Sequence, residues 1–166
     1  MDEHSQSTRF GAFYGMLVTE WRITERLDAE LRERTGISLD RLELLIHLHW
    51  KDGRRRMSDL ADALLLSRGG ATRLVARAEE DGLVTREIPP DDRRATYAVL
   101  TPTGVEAAER GFPAYGELVG RLFQQYVSDE EAELLVRLWA RVLDGNGMAC
   151  APVTVAAEAL DAAGRA

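Results

Sequence analysis

Cysteine is almost missing from this sequence: Cys150 is the only one in 166 residues. A single thiol forms no intrachain disulfide and no thiolate cluster able to hold zinc, and its setting in a tail of small residues reads as that of an inert thiol. Histidine is nearly as scarce, with three. His47 and His49 stand two apart on a helical stretch, about 200° around the axis, so they cannot share an ion. No metal site and no cofactor are expected. No apolar run approaches the roughly 18 residues of a membrane span, and MDEHSQSTRF lacks the basic-then-apolar layout of a signal peptide. A cytoplasmic protein that does not enter the membrane is expected. Phosphate loops, G-x-S-x-G, H-E-x-x-H and a Cys/His pair are also missing, which removes the usual catalytic signatures, and a non-enzyme is expected.

Positive charge is in short supply too. There are 21 Lys and Arg against 28 Asp and Glu, a net charge of −7, which argues against indiscriminate binding to nucleic acid. The distribution is uneven. Lys51 to Arg94 carries ten basic residues against nine acidic ones, while the flanking thirds hold the acid. With 45% hydrophobic and 30% charged residues, the composition is that of one globular domain with a modest core.

Apolar residues at Phe13, Leu17, Trp21, Ile23, Leu27 and Leu31, without an internal proline, predict a long helix over 10–36 after a flexible N-terminus at 1–9. Gly36 ends it, and Ser38 can cap a leucine-rich second helix that closes at Asp52-Gly53. Ser58 reads as the cap of a short third helix with Asp59 in its first turn, and Ser67 as the cap of a fourth that Gly82 terminates. LVTREI and TYAVL, separated by PPDDRRA, predict two strands of a hairpin. Thr103 and Glu106 have capping-box spacing after Pro102, as do Ser128 and Glu131, so two helices follow over 102–145. A small-residue tail occupies 146–166. The expected class is mainly α with a small β-hairpin wing (α+β): a winged helix-turn-helix over 38–100, between long N- and C-terminal helices.

The fourth helix divides cleanly by face. Ala71, Leu74, Val75 and Ala78 share one arc of about 100° steps, and Arg68, Gly69, Thr72, Arg73, Ala76 and Arg77 share the opposite one. Arginine, threonine and very small residues on an exposed face suit insertion into a DNA major groove. The bland reading is an ordinary solvated amphipathic helix. Gly69 and Gly70 cost helix stability at about 1 kcal/mol each, which a purely structural first turn would seldom keep. Arg93 and Arg94 fall at the hairpin tip, either as solvated charge or where a wing could reach the negative potential of an adjacent minor groove. Asp91 or Asp92 is expected to pair with one of them or cap the turn. Arg54, Arg55, Arg56 and Ser58, at the entrance of the third helix, are placed to clamp phosphate.

These motifs together resemble the DNA-binding core of the MarR family, the multiple antibiotic resistance regulators. The matching features are the L-A-x-x-L helix, the R-L-V-x-R-x-E-x-x-G-L-V-x-R run, the D-R-R wing tip and the L-T-x-x-G that follows, within a likeness covering about 10–145. The resemblance implies a homodimer in which the first, fifth and sixth helices of two chains interlock, so that 10–36 and 102–145 are dimerisation helices. It implies two recognition helices in successive major grooves of near-palindromic double-stranded DNA. The family's groove-reading positions fall on Ser67, Arg68, Thr72 and Arg73, and its wing arginines on Arg93 and Arg94. Gly69-Gly70 departs from the larger polar residues of many relatives. The resemblance further implies a repressor released by a small aromatic or phenolic effector, with Trp21, His47 and Trp50 as candidate pocket residues, although each also suits core packing. The first helix has no cysteine for peroxide sensing. The alternative reading is a winged helix used for protein contact, with specific DNA binding lost.

Overall fold

The computed structural model describes residues 3–148. Cys150 and the rest of the expected tail from 149 onward lie outside the described residues. The elements are α1 (Glu3–Thr35), α2 (Leu39–His49), β1 (Arg54–Arg56), α3 (Met57–Ala63), α4 (Arg68–Glu80), β2 (Val84–Glu87), β3 (Tyr97–Leu100), α5 (Pro102–Leu122), a 3-10 turn (Gln124–Tyr126) and α6 (Asp129–Gly145). This is the mainly helical winged helix-turn-helix that the sequence predicts.

Four details differ. The segment expected to be flexible, 1–9, is helical from Glu3. It contains neither proline nor glycine, so a helix nucleated further along propagates back through it at little cost per residue. The wing has a third strand, because β1 joins the hairpin to give a sheet of order β1-β3-β2 with Arg54 opposite Val99 and Arg56 opposite Tyr97. The third helix begins at Met57 rather than behind a Ser58 cap, since the Met57 N–H donates to the Thr96 carbonyl at 2.9 Å and ties the helix start to the sheet. Finally, α5 is capped by Thr101, whose hydroxyl oxygen accepts the Gly104 N–H at 3.0 Å, not by a Thr103–Glu106 box. Pro102 takes the first helical position, which puts the cap one residue before it.

The core gathers around α2. Leu42, Leu45 and Leu48 are fully buried, together with Leu31 of α1, Leu60 of α3, Val75 of α4 and Leu118 of α5. The first turn of α5 meets the α4–β2 turn at close range. Gly82, at φ +73°, ends α4 in the left-handed conformation that glycine adopts without penalty. Thr101 then bonds the turn twice: its N–H donates to the Leu83 carbonyl at 3.1 Å, and its hydroxyl points to the carbonyls of Gly82 at 2.7 Å and Leu83 at 3.0 Å. One helical turn on, Gly104 passes directly over the Leu83 carbonyl oxygen. A Cβ there would fall deep inside the van der Waals radius of that oxygen.

The glycine of the L-T-x-x-G motif is therefore a packing requirement. Because the clash is with backbone, Gly104→Ala is expected to cost about 3 kcal/mol, the upper end of overpacking penalties, measured as a lowered urea midpoint. Thr103→Ala, one residue away and exposed, should leave the midpoint within about 0.5 kcal/mol of the parent.

Candidate nucleic-acid interface

The helix α4 presents the two faces expected of it. Ala71, Leu74, Val75 and Ala78 are buried, and Arg68, Gly69, Thr72, Arg73 and Arg77 are exposed. Ser67 is the N-cap, its hydroxyl oxygen accepting the Gly70 N–H at 3.1 Å, so its side chain is committed to starting the helix. Thr72 donates its hydroxyl to the Arg68 carbonyl at 2.8 Å, which turns its methyl away from its own turn. The two glycines are unlike each other. A Cβ on Gly70 would lie 3.3 Å from the Ser67 hydroxyl and 3.5 Å from Leu66, tight enough to disturb the cap, whereas Gly69 has only the end of Arg73 near it. Gly70 thus has a local structural reason, and Gly69 leaves open, approachable backbone.

The arginines separate into engaged and free. Arg77 turns back to Asp40 on α2 at 3.1 Å, and Arg86 pairs with Glu79 at 3.5 Å. Arg54 bonds Glu87 at 2.9 Å and stacks its guanidinium 3.7 Å from the centre of the Tyr97 ring. Arg56 meets Asp92 at 3.6 Å, and Arg55 reaches the His47 Nδ1 at 3.5 Å. Arg54, Arg55 and Arg56 do stand at the entrance of α3, as expected, but there they form β1, alternate between its faces and each has a side-chain neighbour. Ser58 is half-buried and donates its hydroxyl to the Asp59 carboxylate at 2.9 Å. By contrast, Arg68 and Arg73 on α4, and Arg93 and Arg94 at the wing tip, are exposed and have no ion-pair partner among the described residues. Asp92 accepts the Arg94 N–H at 3.1 Å, so the aspartate shapes the turn and pairs with β1 while both tip guanidiniums point to solvent.

Of the three residues predicted to line an effector pocket, two meet. His47 and Trp50 touch edge to face with ring centres 6.0 Å apart, and Trp50 meets Phe112 of α5 in the same way at 6.1 Å. Phe112 joins this aromatic cluster without having been singled out from the sequence, though the pair Phe112 and Tyr115 in GFPAYGEL marks one face of α5 at a spacing of three. Trp21 stands apart: it is 56% exposed on α1, with the Arg22 guanidinium 4.7 Å from the centre of its ring. No ring contact joins it to His47 or Trp50 among the described residues. No group of acidic, His or Cys side chains among the described residues is arranged to hold a metal ion, and no helix there is long and apolar enough to cross a membrane.

A family model described as "MarR family" matches residues 35–95, the span from the end of α1 to the wing tip. Over that span the chain is similar to the MarR family. Its relatives include two HTH-type transcriptional regulators of Bacillus subtilis (strain 168). One is YkoM, 30% identical over 57% of this chain and 61% of that protein. The other is MhqR, 31% identical over 61% of this chain and 66% of that one. The chain thus spans roughly three-fifths to two-thirds of the length of these curated relatives. Among solved structures, the MarR family transcriptional regulator Sco3205 of Streptomyces coelicolor superposes with a TM-score of 0.79 at 26% identity, over 84% of this chain and 88% of that one. That structure is a complex with DNA.

Burial, with the Arg55 charge adding to it, holds the His47 imidazole below its ordinary value of 6.5. The unfolded chain takes up this proton near 6.5 and the folded chain resists it. This contribution is constant above that pH, and stability falls as pH drops through 6.5 toward the lower folded value. Urea titrations of His47→Gln should therefore show a flatter pH dependence than the parent between about pH 7 and pH 5. An unchanged slope would mean that the imidazole ionises freely.

Proposed function

We propose that this chain is a sequence-specific DNA-binding transcriptional regulator that acts as a homodimeric repressor and leaves its operator when a small effector binds. The observation that carries the reading is the pattern of free cations. In a protein of net charge −7, the arginines of the winged helix-turn-helix whose guanidiniums have no partner of any kind among the described residues are Arg68 and Arg73 on the exposed face of α4 and Arg93 and Arg94 at the wing tip, Arg55 being held by His47. In this reading Arg68, Arg73 and the Thr72 methyl meet base edges in a major groove, with Gly69 allowing close approach, while the wing arginines enter the flanking minor groove. Ser67 supports the reading as the cap that fixes where α4 begins. Arg77 has a smaller part, since its pair with Asp40 must break before it reaches a phosphate. The Sco3205 complex supports DNA as the ligand.

The homodimer reading rests on uncovered apolar surface. Phe10, Phe13, Leu17 and Trp21 project from α1, with Phe10 69% exposed, and α6 buries none of its residues although Leu134, Val136 and Val142 lie along it. A second copy that interlocks these helices would cover both, and would set two α4 helices at a fixed separation on one duplex. Trp21, exposed in one chain, would then meet its partner's surface, and the His47, Trp50 and Phe112 cluster offers an aromatic wall for a small aromatic or phenolic effector.

The test is a titration against a fluorescent duplex carrying the chain's own upstream region, with random duplex as control, at several salt concentrations. Specific binding by one dimer per site should weaken steeply with salt as condensed counterions are released. The double variant Arg93→Glu/Arg94→Glu should lose about 10- to 100-fold in affinity and show a shallower salt slope, because four wing cations per dimer are reversed. Tight, salt-insensitive binding, or no change in the variant, would remove the wing from the interface. A parent protein that prefers no duplex would favour the protein-contact reading.

A further inference from the structure

Away from the His47 and Trp50 cluster, a cleft of about 350 Å³ opens where the end of α1, the start of α2, the end of α4 and α5 converge. Its wall carries three guanidiniums from three different helices: Arg32 of α1, Arg41 of α2 and Arg110 of α5. The one acid in the lining is Asp81, the C-cap residue of α4. Each arginine has donors to spare. Arg32 uses its Nε on Asp28 at 2.8 Å. Burial acts to raise the Asp28 pKa, but the Arg32 hydrogen bond, the Leu39 N–H and the Arg32 charge outweigh it, so the carboxyl sits below its ordinary value and stays ionised. Arg41 spends its Nε on Asp81 and its Nη1 on the Ser38 hydroxyl. Arg110 is exposed and has no ion-pair or hydrogen-bond partner among the described residues. A guanidinium has five N–H donors, so each of the three keeps several that no described residue uses.

We propose that this cleft binds a small multivalent oxyanion, a phosphate or a di-carboxylate, and that binding loosens the seat of α4. Three arginines around one cleft supply forked donors from several directions, the arrangement that planar oxyanions bind best, and while Asp28 and Asp81 pair with Arg32 and Arg41, Arg110 has no carboxylate partner among the described residues. The coupling follows from what Arg41 already holds. Two ion pairs tie the last turn of α4 to the first turn of α2: Arg41 with Asp81, and Arg77 with Asp40 at 3.1 Å. Asp40 also accepts the Ser38 hydroxyl and the Arg41 N–H, so the two pairs share one short stretch of chain. An anion between Arg41 and Arg110 competes directly with Asp81. It repels that carboxylate and frees the end of α4 to turn relative to α2 and α5. A ligand shifts the equilibrium only by its different affinity for the two arrangements, and here the difference is the Asp81 contact. Binding to the cleft is independent of the regulator reading; the consequence for DNA rests on it.

The experiment uses the purified full-length chain. Its thermal midpoint is measured in sodium phosphate, in sodium succinate, and in sodium chloride matched for ionic strength. At about ten times Kd, one of the two oxyanions should raise the midpoint by about 3–6 °C over chloride, and which one does so distinguishes phosphate from carboxylate. Arg110→Ala removes an exposed, unpaired side chain from a helix without disturbing the fold, and should lose most of that rise. Lys51→Ala, with the same change in net charge on a distant turn, should keep it. No rise over chloride with either anion, or an equal rise in Arg110→Ala, overturns the site. Duplex affinity is then read with and without the active anion. A decrease of about tenfold in the parent, absent in Arg110→Ala, supports the coupling. A midpoint shift with unchanged duplex affinity overturns the coupling and leaves the site. A parent that binds no duplex under any condition counts against the regulator reading alone, because the midpoint result does not involve DNA.

Discussion

The carbonyl of Leu83 is the point on which the arrangement turns. It accepts the Thr101 N–H, faces the Thr101 hydroxyl and lies beneath Gly104, so the end of α4, the first wing strand and the start of α5 meet within a few residues. A backbone acceptor buried at such a junction must be satisfied, and a side chain at 104 would push the helix off it. Because α5 also packs along α1 and α2, the direction of α4 relative to the long helices is set here. The ion pairs Arg41 with Asp81 and Arg77 with Asp40 then hold the same helix end from the other side. Hydrogen bonds to backbone give the junction a fixed position, while ion pairs at a half-exposed surface are weaker and can be exchanged.

Charge is handled by cancellation more than by composition. Most arginines on the described surface have a carboxylate within reach, including Arg26, Arg32, Arg34, Arg54, Arg56, Arg86 and Arg121. Those on the winged helix-turn-helix with neither a carboxylate nor any other side-chain partner among the described residues stand on the outer face of α4 and at the wing tip, since Arg55 reaches His47 instead. A duplex meets the local field within about a Debye length, roughly 8 Å at physiological ionic strength, so four unpaired guanidiniums matter more there than a net charge of −7 spread over the whole surface. The strand β1 contributes indirectly. Its arginines brace the wing through Glu87, Tyr97 and Asp92, and so leave Arg93 and Arg94 with no local partner.

Much of the fold was legible because it rests on local signals. The buried face of α4 follows from the spacing of Ala71, Leu74, Val75 and Ala78, and the Ser128 and Glu131 capping box forms as read. The family could be read from motifs whose residues do physical work, as Gly104 shows. What escaped depends on long-range pairing. Three successive arginines carry no strand signal, and β1 exists because β3 offers an edge with Ala98 and Val99 opposite it. The N-terminal extension of α1 was hidden because polar residues without periodicity suit helix and coil equally. The cleft was invisible for a similar reason: Arg32, Arg41 and Arg110 are far apart in sequence, and only the packing of α1, α2, α4 and α5 brings them to one wall. Phe112 shared that fate, since its meaning comes from Trp50 on another helix.

The central claim is that two copies of α4 and its wing read one face of a duplex. Hydroxyl-radical footprinting of the chain on its own upstream region tests this most directly. The account predicts two protected segments whose centres lie about 10 base pairs apart on the same face, flanked by minor-groove protection from the wings. A single protected segment, protection spread evenly around the duplex, or none at saturating protein would contradict it.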